Sequence, residues 1–209
     1  LSSALGYTPT STIGIANVVP NPIVGRTEFA GTLVTTSSMS EGAVGITLNA
    51  TDVAGNSVSV NAVTDGSSVT IDNSAPAANY IRLSSSGAVN TFAKAGEVIT
   101  LDFQVSEEIS SVSNITIFEN APDAAPTDLG NNVFQAQYTL LGTENDGAVP
   151  FTLNFVDLAG NTLSSNLTDL VDDADGGVTY DDELPTLDRV IITSNNANSA
   201  TLAKIDDVI

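Results

Sequence analysis

The chain has no cysteine, no histidine and no tryptophan, and only five of its 209 residues are Lys or Arg. Without cysteine there is no disulfide framework, so stability outside a cell has to come from packing or from bound ions. Without histidine or cysteine, acid–base catalysis would fall to carboxylates alone. The one adjacent pair near a core strand, Glu107 and Glu108, tends to face opposite ways. No base or nucleophile elbow accompanies the many Ser and Thr residues, and no enzyme is expected. The shortage of bases argues against nucleic acid and anionic membranes as partners, because phosphate-binding surfaces need clustered Lys and Arg. No run of 18 apolar residues occurs, so no membrane-spanning helix is expected. The sequence opens at Leu1 rather than Met, without a signal-peptide pattern. It reads as cut from a larger protein.

What is present is acid. Twenty-five Asp and Glu leave a net charge of −20. Residues 1–76 carry 5 acids and 1 base, 77–185 carry 17 and 2, and 186–209 carry 3 and 2. Such an excess favours divalent cations as partners, or else serves solubility alone. Ser, Thr and Asn supply the remaining polarity, and 16 Gly and 8 Pro punctuate the chain. That mixture favours short strands joined by turns.

The chain also repeats itself. Glu41-Gly-Ala-Val-Gly-Ile-Thr-Leu-Asn-Ala-Thr-Asp-Val-Ala-Gly-Asn56 aligns with Asp146-Gly-Ala-Val-Pro-Phe-Thr-Leu-Asn-Phe-Val-Asp-Leu-Ala-Gly-Asn161, an offset of 105. Val69-Thr-Ile-Asp-Asn-Ser-Ala-Pro76 aligns with Val178-Thr-Tyr-Asp-Asp-Glu-Leu-Pro185, an offset of 109. Tyr80-Ile-Arg-Leu-Ser-Ser matches Arg189-Val-Ile-Ile-Thr-Ser, and Ala93-Lys-Ala-Gly-Glu-Val-Ile99 matches Ala203-Lys-Ile-Asp-Asp-Val-Ile209. Within the repeat, Ile99, Leu101, Phe103 and Val105 alternate with polar residues. Phe134, Ala136, Tyr138 and Leu140 do the same, as do Phe151, Leu153 and Phe155. Period-two alternation marks strands with one buried face. Several such strands in about 105 residues predict an all-β fold of antiparallel two-sheet sandwiches. Residues 77–185 would form one complete sandwich. Residues 1–76 would be the later part of a preceding one, and 186–209 the first strands of a following one.

The Asp-x-Ala-Gly-Asn turns, Val-Thr-x-Asp followed by Pro, and Ser194-Asn-Asn-Ala-Asn198 before Ala-Lys together resemble bacterial immunoglobulin-like repeats. Such repeats build the stalks of secreted surface adhesins, often exported by type I secretion. The resemblance implies tandem immunoglobulin-like sandwiches in an extracellular, cell-surface fibre, frequently rigidified by calcium. The middle copy departs from the pattern at Ser84–Asn90 and in a longer acidic insert at 169–175.

Three groups of acids are candidates for Ca2+. Asp52 and Asp157 open the Ala-Gly-Asn turns, where an aspartate either closes the hairpin on the turn amides or serves as an ion ligand. Asp172, Asp173 and Asp175 lie before a Gly-Gly pair, suiting either a calcium loop or a solvated acidic loop. Asp72 and Asn73 before Pro76, and Asp181, Asp182 and Glu183 before Pro185, sit where one sandwich hands over to the next. Glu107, Glu108 and the turn aspartate could reach such a handover from neighbouring loops, so that carboxylates of two domains share one ion. The alternative is a flexible acidic linker.

The principal functional expectation is therefore structural: a stalk or fibre module whose partners are neighbouring repeats of the same or another chain copy. One rival is a ligand-binding adhesin domain that grips a glycan or protein on a cell surface, with Tyr7 and Tyr80 as its only candidate aromatics. Another is an accessory module of an extracellular polysaccharide-degrading enzyme. A third is a filament subunit assembled by strand donation.

Overall fold

A computed structural model describes residues 10–13, 16–18, 21–24, 28–52, 54–163 and 165–209. The described chain is all-β, with seventeen strands and no helix. Eight strands precede residue 77: β1 (Thr10–Ile13), β2 (Ala16–Val18), β3 (Asn21–Val24), β4 (Glu28–Ala30), β5 (Gly42–Ala43), β6 (Ile46–Thr51), β7 (Ser57–Val60) and β8 (Thr70–Ile71). Nine follow: β9 (Ala78–Ser85), β10 (Phe92–Ala93), β11 (Val98–Val105), β12 (Ile109–Ile117), β13 (Thr127–Gly130), β14 (Val133–Thr139), β15 (Gly147–Ala148), β16 (Phe151–Asp157) and β17 (Thr179–Tyr180).

Between residues 77 and 185, one antiparallel sheet runs β13-β14-β11-β9 and a second pairs β12 with β16. A small third sheet, β10-β17-β15, includes the parallel pair β10–β17. The apolar faces read from the period-two pattern turn inward from both principal sheets. Ile99, Leu101, Phe103 and Val105 of β11 are buried together with Phe151, Leu153 and Phe155 of β16. Phe103 bridges the two layers, its ring 5.6 Å from Phe155 across the core and 5.6 Å from Phe134 within its own sheet. Outside residues 77–185, only Ala50 and Pro76 are buried among the residues whose side chains are described. The core is thus concentrated in the middle of the chain.

The sequence repeat reappears as repeated pairing. Gly42 and Ala43 face Ile71 and Thr70, and Gly147 and Ala148 face Tyr180 and Thr179, at the sequence offsets of 105 and 109. Ile13 faces Ile46 as Ile117 faces Phe151. Pro22 faces Phe29 as Asp128 faces Phe134. The Ala-Gly-Asn turns close alike: the Asp52 amide donates to the Asn56 carbonyl at 2.9 Å, and the Asp157 amide to that of Asn161 at 3.1 Å. Gly55 and Gly160 take φ of 93° and 95°, a conformation that disfavours side chains.

Residues 186–209 contain no strand. Their local hydrogen bonds nevertheless copy the turn before β11. The Asn195 amide bonds the Val208 carbonyl as the Ser86 amide bonds that of Val98, and Asp207 caps Lys204 as Glu97 caps Lys94. The apolar positions lack cover: Val190 and Ile192 are each 81% exposed, whereas their counterparts Ile81 and Leu83 are buried. A strand exists only through its partner, and here the turn forms without one.

Two expectations about side chains are refined. Asn154 lies on the polar side of β16 by alternation, yet it is buried, and its side-chain amide donates to Asn166 Oδ1 at 3.2 Å. Thr152 stands on the same polar side of β16 by alternation. It donates to the Asn114 carbonyl at 2.7 Å and lies 2.7 Å from the Thr116 hydroxyl. Replacing Phe103 or Phe155 with Ala should cost about 3–5 kcal/mol in chemical denaturation, because each fills the space between the sheets. Thr152→Val should cost about 1 kcal/mol, and Gln135→Ala, whose amide bonds only the half-buried Asp102, less than that. Equal small losses at all four positions would show that the strand faces are assigned wrongly.

Candidate functional site

The residues that converge lie at the boundary near residue 76. Asp72 follows directly on β8, Glu107 stands two residues after β11, and Asp157 ends β16. One carboxylate oxygen from each lies within 4.8 Å of the other two. Period-two strands deliver two of them: β11 and β16 stop at the same end of the core, so the residues just beyond them share one pole. The connecting segment is tied to that pole. The Ser106 amide donates to the Ala77 carbonyl at 2.8 Å, and the Ala77 amide to Ser106 Oγ at 3.0 Å. The Asn161 side-chain amide donates to the Asp72 carbonyl at 3.2 Å and to Asp157 Oδ2 at 2.8 Å. A single Asn therefore holds both its own turn and the segment that follows β8.

The three carboxylates differ in electrostatic state. Asp157 is buried, which pushes its pKa up, but bonds from the Asn161 side chain and amide and from the Gly160 and Ala159 amides outweigh this and hold it below the usual range. Glu107 is pushed up, first by burial and then by the charges of Asp72, Asp157 and Glu41. Among the described residues no Lys or Arg pairs with these acids, and the ion pair found there is Arg82 with Asp172 at 2.8 Å. The donor set is all oxygen, which suits a hard cation. Asp72, Glu107 and Asp157 would hold such an ion. Its chemistry would be purely electrostatic: removal of the mutual repulsion.

The other candidates lie elsewhere. Asn73 is exposed and donates its amide to Glu41 Oε1 at 3.3 Å. Glu108 is exposed. Asp52 closes its own turn, accepting from the Asn56 amide and side chain at 2.8 and 2.9 Å, which lower its pKa. The acidic insert forms a strap along the edge of β9 rather than a ring of converging carboxylates. Ile81 and Val171 exchange backbone bonds of 2.9 and 3.0 Å, Asp173 caps the Leu83 amide, Asp175 accepts from Asn90, and Asp172 pairs with Arg82. A covered edge cannot template another strand. Asp181, Asp182 and Glu183 are exposed at the opposite pole. There the Asp182 amide donates to Asp146 Oδ1 at 3.1 Å, the counterpart of the Asn73–Glu41 bond. Tyr80 lies under Arg82, whose guanidinium carbon is 4.5 Å from its ring centre, and Tyr7 lies outside the described residues.

Sequence reading missed two acids. Glu41 accepts from the Ser74 hydroxyl at 2.5 Å and so clasps the connecting segment from its far side. Its alignment with Asp146 was the available signal. Glu144 is a structural anion. Its carboxylate accepts from the Leu141, Gly142 and Thr143 amides at 3.0, 2.8 and 3.0 Å and from the Tyr138 hydroxyl at 2.8 Å. Burial opposes ionisation, but these bonds bring Glu144 down to about 2, while burial and the Glu144 charge push Tyr138 up to about 12.

No protein-family model matches the chain, and no curated protein shows significant similarity to it. No helix among the described residues is long and apolar enough to cross a membrane.

Two pH dependences follow, with opposite signs. Glu107 titrates higher folded than unfolded. Without divalent cations its contribution is therefore greatest below the ordinary Glu value of 4.5 and is lost as pH rises through its raised pKa. Glu107→Gln should raise the neutral-pH melting temperature in chelator and flatten that limb; a lower melting point there would refute the repulsion. Glu144 titrates lower folded than unfolded, so its stabilisation is present above 4.5 and lost as pH falls towards 2. Discounted for solvent screening, Glu144→Gln should cost about 2 kcal/mol at pH 7, with the difference vanishing in acid unfolding titrations.

Proposed function

We propose that the chain is a length of a tandem array of immunoglobulin-like β-sandwiches in an extracellular surface protein, an adhesin stalk or fibre. In this reading its work is mechanical, and calcium fixes the angle between successive modules. The observation that carries it is the meeting of Asp72, from the last strand of one unit, with Glu107 and Asp157 of the next, over a connecting carbonyl held by Asn161. A junction that served only as a tether would have no reason to gather like charges across the boundary.

The strand order supports the immunoglobulin-like assignment. The order β9-β11-β14-β13 corresponds to the A-B-E-D sheet of such sandwiches, and β12–β16 to C-F. Residues 162 and 167 bridge β16 from its other side, in the position of strand G. Recurrence of pairing registers at offsets of 105 and 109 supports the tandem arrangement. The net charge of −20 with no disulfide fits a calcium-rich extracellular setting, where bound ions supply the compensation that bases and cystines do not.

Melting in calcium, magnesium and chelator, together with small-angle scattering, tests the reading. Calcium in hundredfold excess over its dissociation constant should raise the melting temperature by on the order of 5 °C. It should also narrow the distribution of inter-unit distances, with a much smaller effect of magnesium and none in Glu107→Gln. If calcium moves neither the melting point nor the scattering, the boundary is an ordinary linker.

A further inference from the structure

A cleft of about 370 Å³ opens where the turn after β12 meets the loop before β15; Phe118, Glu119, Asn120, Glu144, Asp146 and Gly147 line it. Ile117 and Asn120 exchange backbone bonds of 2.9 and 3.0 Å across that turn, and Phe118 and Glu119 between them take φ of 51° and 62°. Asn-Gly fills such a turn at least cost, so two large side chains are held here against their preference. The Glu119 carboxylate has no hydrogen bond among the described residues. Behind the turn, Asn120 Nδ2 donates to the Tyr138 hydroxyl at 3.1 Å, which donates to Glu144 Oε1 at 2.8 Å. With the three loop amides, each Glu144 oxygen already accepts two bonds.

Tyr180 is the group left over. It is 1% exposed, and its hydroxyl is buried without a hydrogen-bond partner among the described residues. Its surroundings are those of the cleft: its ring stands edge-on to Phe118 at 5.8 Å, and its backbone faces Gly147 in the β15–β17 register. Burial and the charges of Asp182, Glu144 and Asp146 push its pKa up, so the oxygen keeps its proton and needs an acceptor. The earlier copy carries Leu33, Met39 and Ile71 in place of Tyr138, Glu144 and Tyr180, at the offsets of 105 and 109. Aligned on the pairing of Ile13 with Ala16, it has Gly14 for Phe118 and Ala16 for Asn120. Five positions round one cleft thus differ together, apolar or small in one copy and polar or aromatic in the other. The pairings of Ile13 with Ala16 and of Gly42 with Ile71 form without the polar set, so strand pairing does not require it.

The chemistry of the wall selects its ligand. Glu119, Glu144 and Asp146 repel phosphates and carboxylates, and no Lys or Arg lines the cleft. A metal ion would face the Tyr180 proton and a Glu144 with no lone pair to spare. A hydroxyl group does both things required, donating to a carboxylate and accepting from a phenol. We propose that this cleft binds one ring of a neutral sugar. Its hydroxyls donate to Glu119 and Asp146, and its C–H face packs on Phe118. An inner hydroxyl accepts from Tyr180 as the loop between Gly142 and Gly147, both at positive φ, eases outward to unseal the phenol. The volume lies within the range of small-molecule sites. Binding here does not depend on an ion at Asp72, Glu107 and Asp157.

Titration of the isotopically labelled chain with methyl glucoside, methyl galactoside and methyl mannoside, followed by amide chemical shifts, is the test. At least one glycoside should shift the amides of residues 118–120 and 143–148 with a Kd on the order of millimolar. Glucuronate should bind about fivefold more weakly than the neutral ring, or not at all. Tyr180→Phe removes a hydroxyl that has no internal partner, and Glu119→Gly relieves the turn. Each should hold or raise the melting temperature while weakening binding by about fivefold, which a merely structural wall would not do. No shift at these amides up to about 100 mM of any glycoside overturns the proposal. Calcium moving them where the sugars do not makes the cleft a cation site and overturns it equally. Unchanged affinity in either variant overturns the assigned contacts. A melting point that falls in Tyr180→Phe shows that the hydroxyl has an internal partner, and the case for a ligand there is lost.

Discussion

The bond pair between Asp157 and Asn161 is the interaction on which the rest of the boundary depends. Both oxygens of the buried Asp157 carboxylate accept from Asn161, one from its amide and one from its side chain. That closes β16 and fixes where the carboxylate points. The same Asn161 side chain reaches the Asp72 carbonyl, so the geometry of one turn sets the position of the segment entering from the preceding unit. In the earlier copy, Asp52 and Asn56 make the same internal bonds, with Asp52 half-buried and Asn56 exposed. The motif is a hairpin closure, and at Asn161 it also holds the segment that follows β8.

A chain with five bases and twenty-five acids cannot compensate its charge by ion pairing, and the structure relies instead on backbone amides. Glu144 takes three consecutive amides, Asp157 those of its turn, Glu97 that of Lys94, and Asp173 the open edge of β9. Charge-assisted bonds of this kind stabilise more than neutral ones and need no cation. Glu107 is the exception. It has three acids for electrostatic neighbours and a pKa moved the opposite way from that of Asp157. Among the described acids with shifted pKa values, Glu107 is the carboxylate that its acidic neighbours push up, so a change of charge at Asp72, Asp157 or Glu41 acts directly on it.

Much of the fold was legible because strands and turns are written locally. Phe103 and Phe155 follow from alternation, and the two Ala-Gly-Asn turns from residue type, since Asp bonds turn amides and Gly accepts positive φ. The meeting of Glu107 with Asp72 and Asp157 was foreseeable once β11 and β16 were known to end at the same pole. The acidic insert was harder to read. Asp172, Asp173 and Asp175 look like ligands in sequence, and only the third dimension shows Arg82, Leu83 and Asn90 across from them. Glu144 escaped because a carboxylate that satisfies amides within its own loop has no periodicity to betray it, and Glu41 because its partners Asn73 and Ser74 lie 32 and 33 residues away.

Residues 186–209 separate what local chemistry can build from what it cannot. The turn between Asn195 and Val208 forms because its partners are near in sequence and each bond orders only a few residues. The flanking strands do not form, although their residues match those of β9 and β11, because strand formation depends on side chains and amides from distant sequence. Turns are therefore built from near neighbours in the sequence, and strands from distant ones.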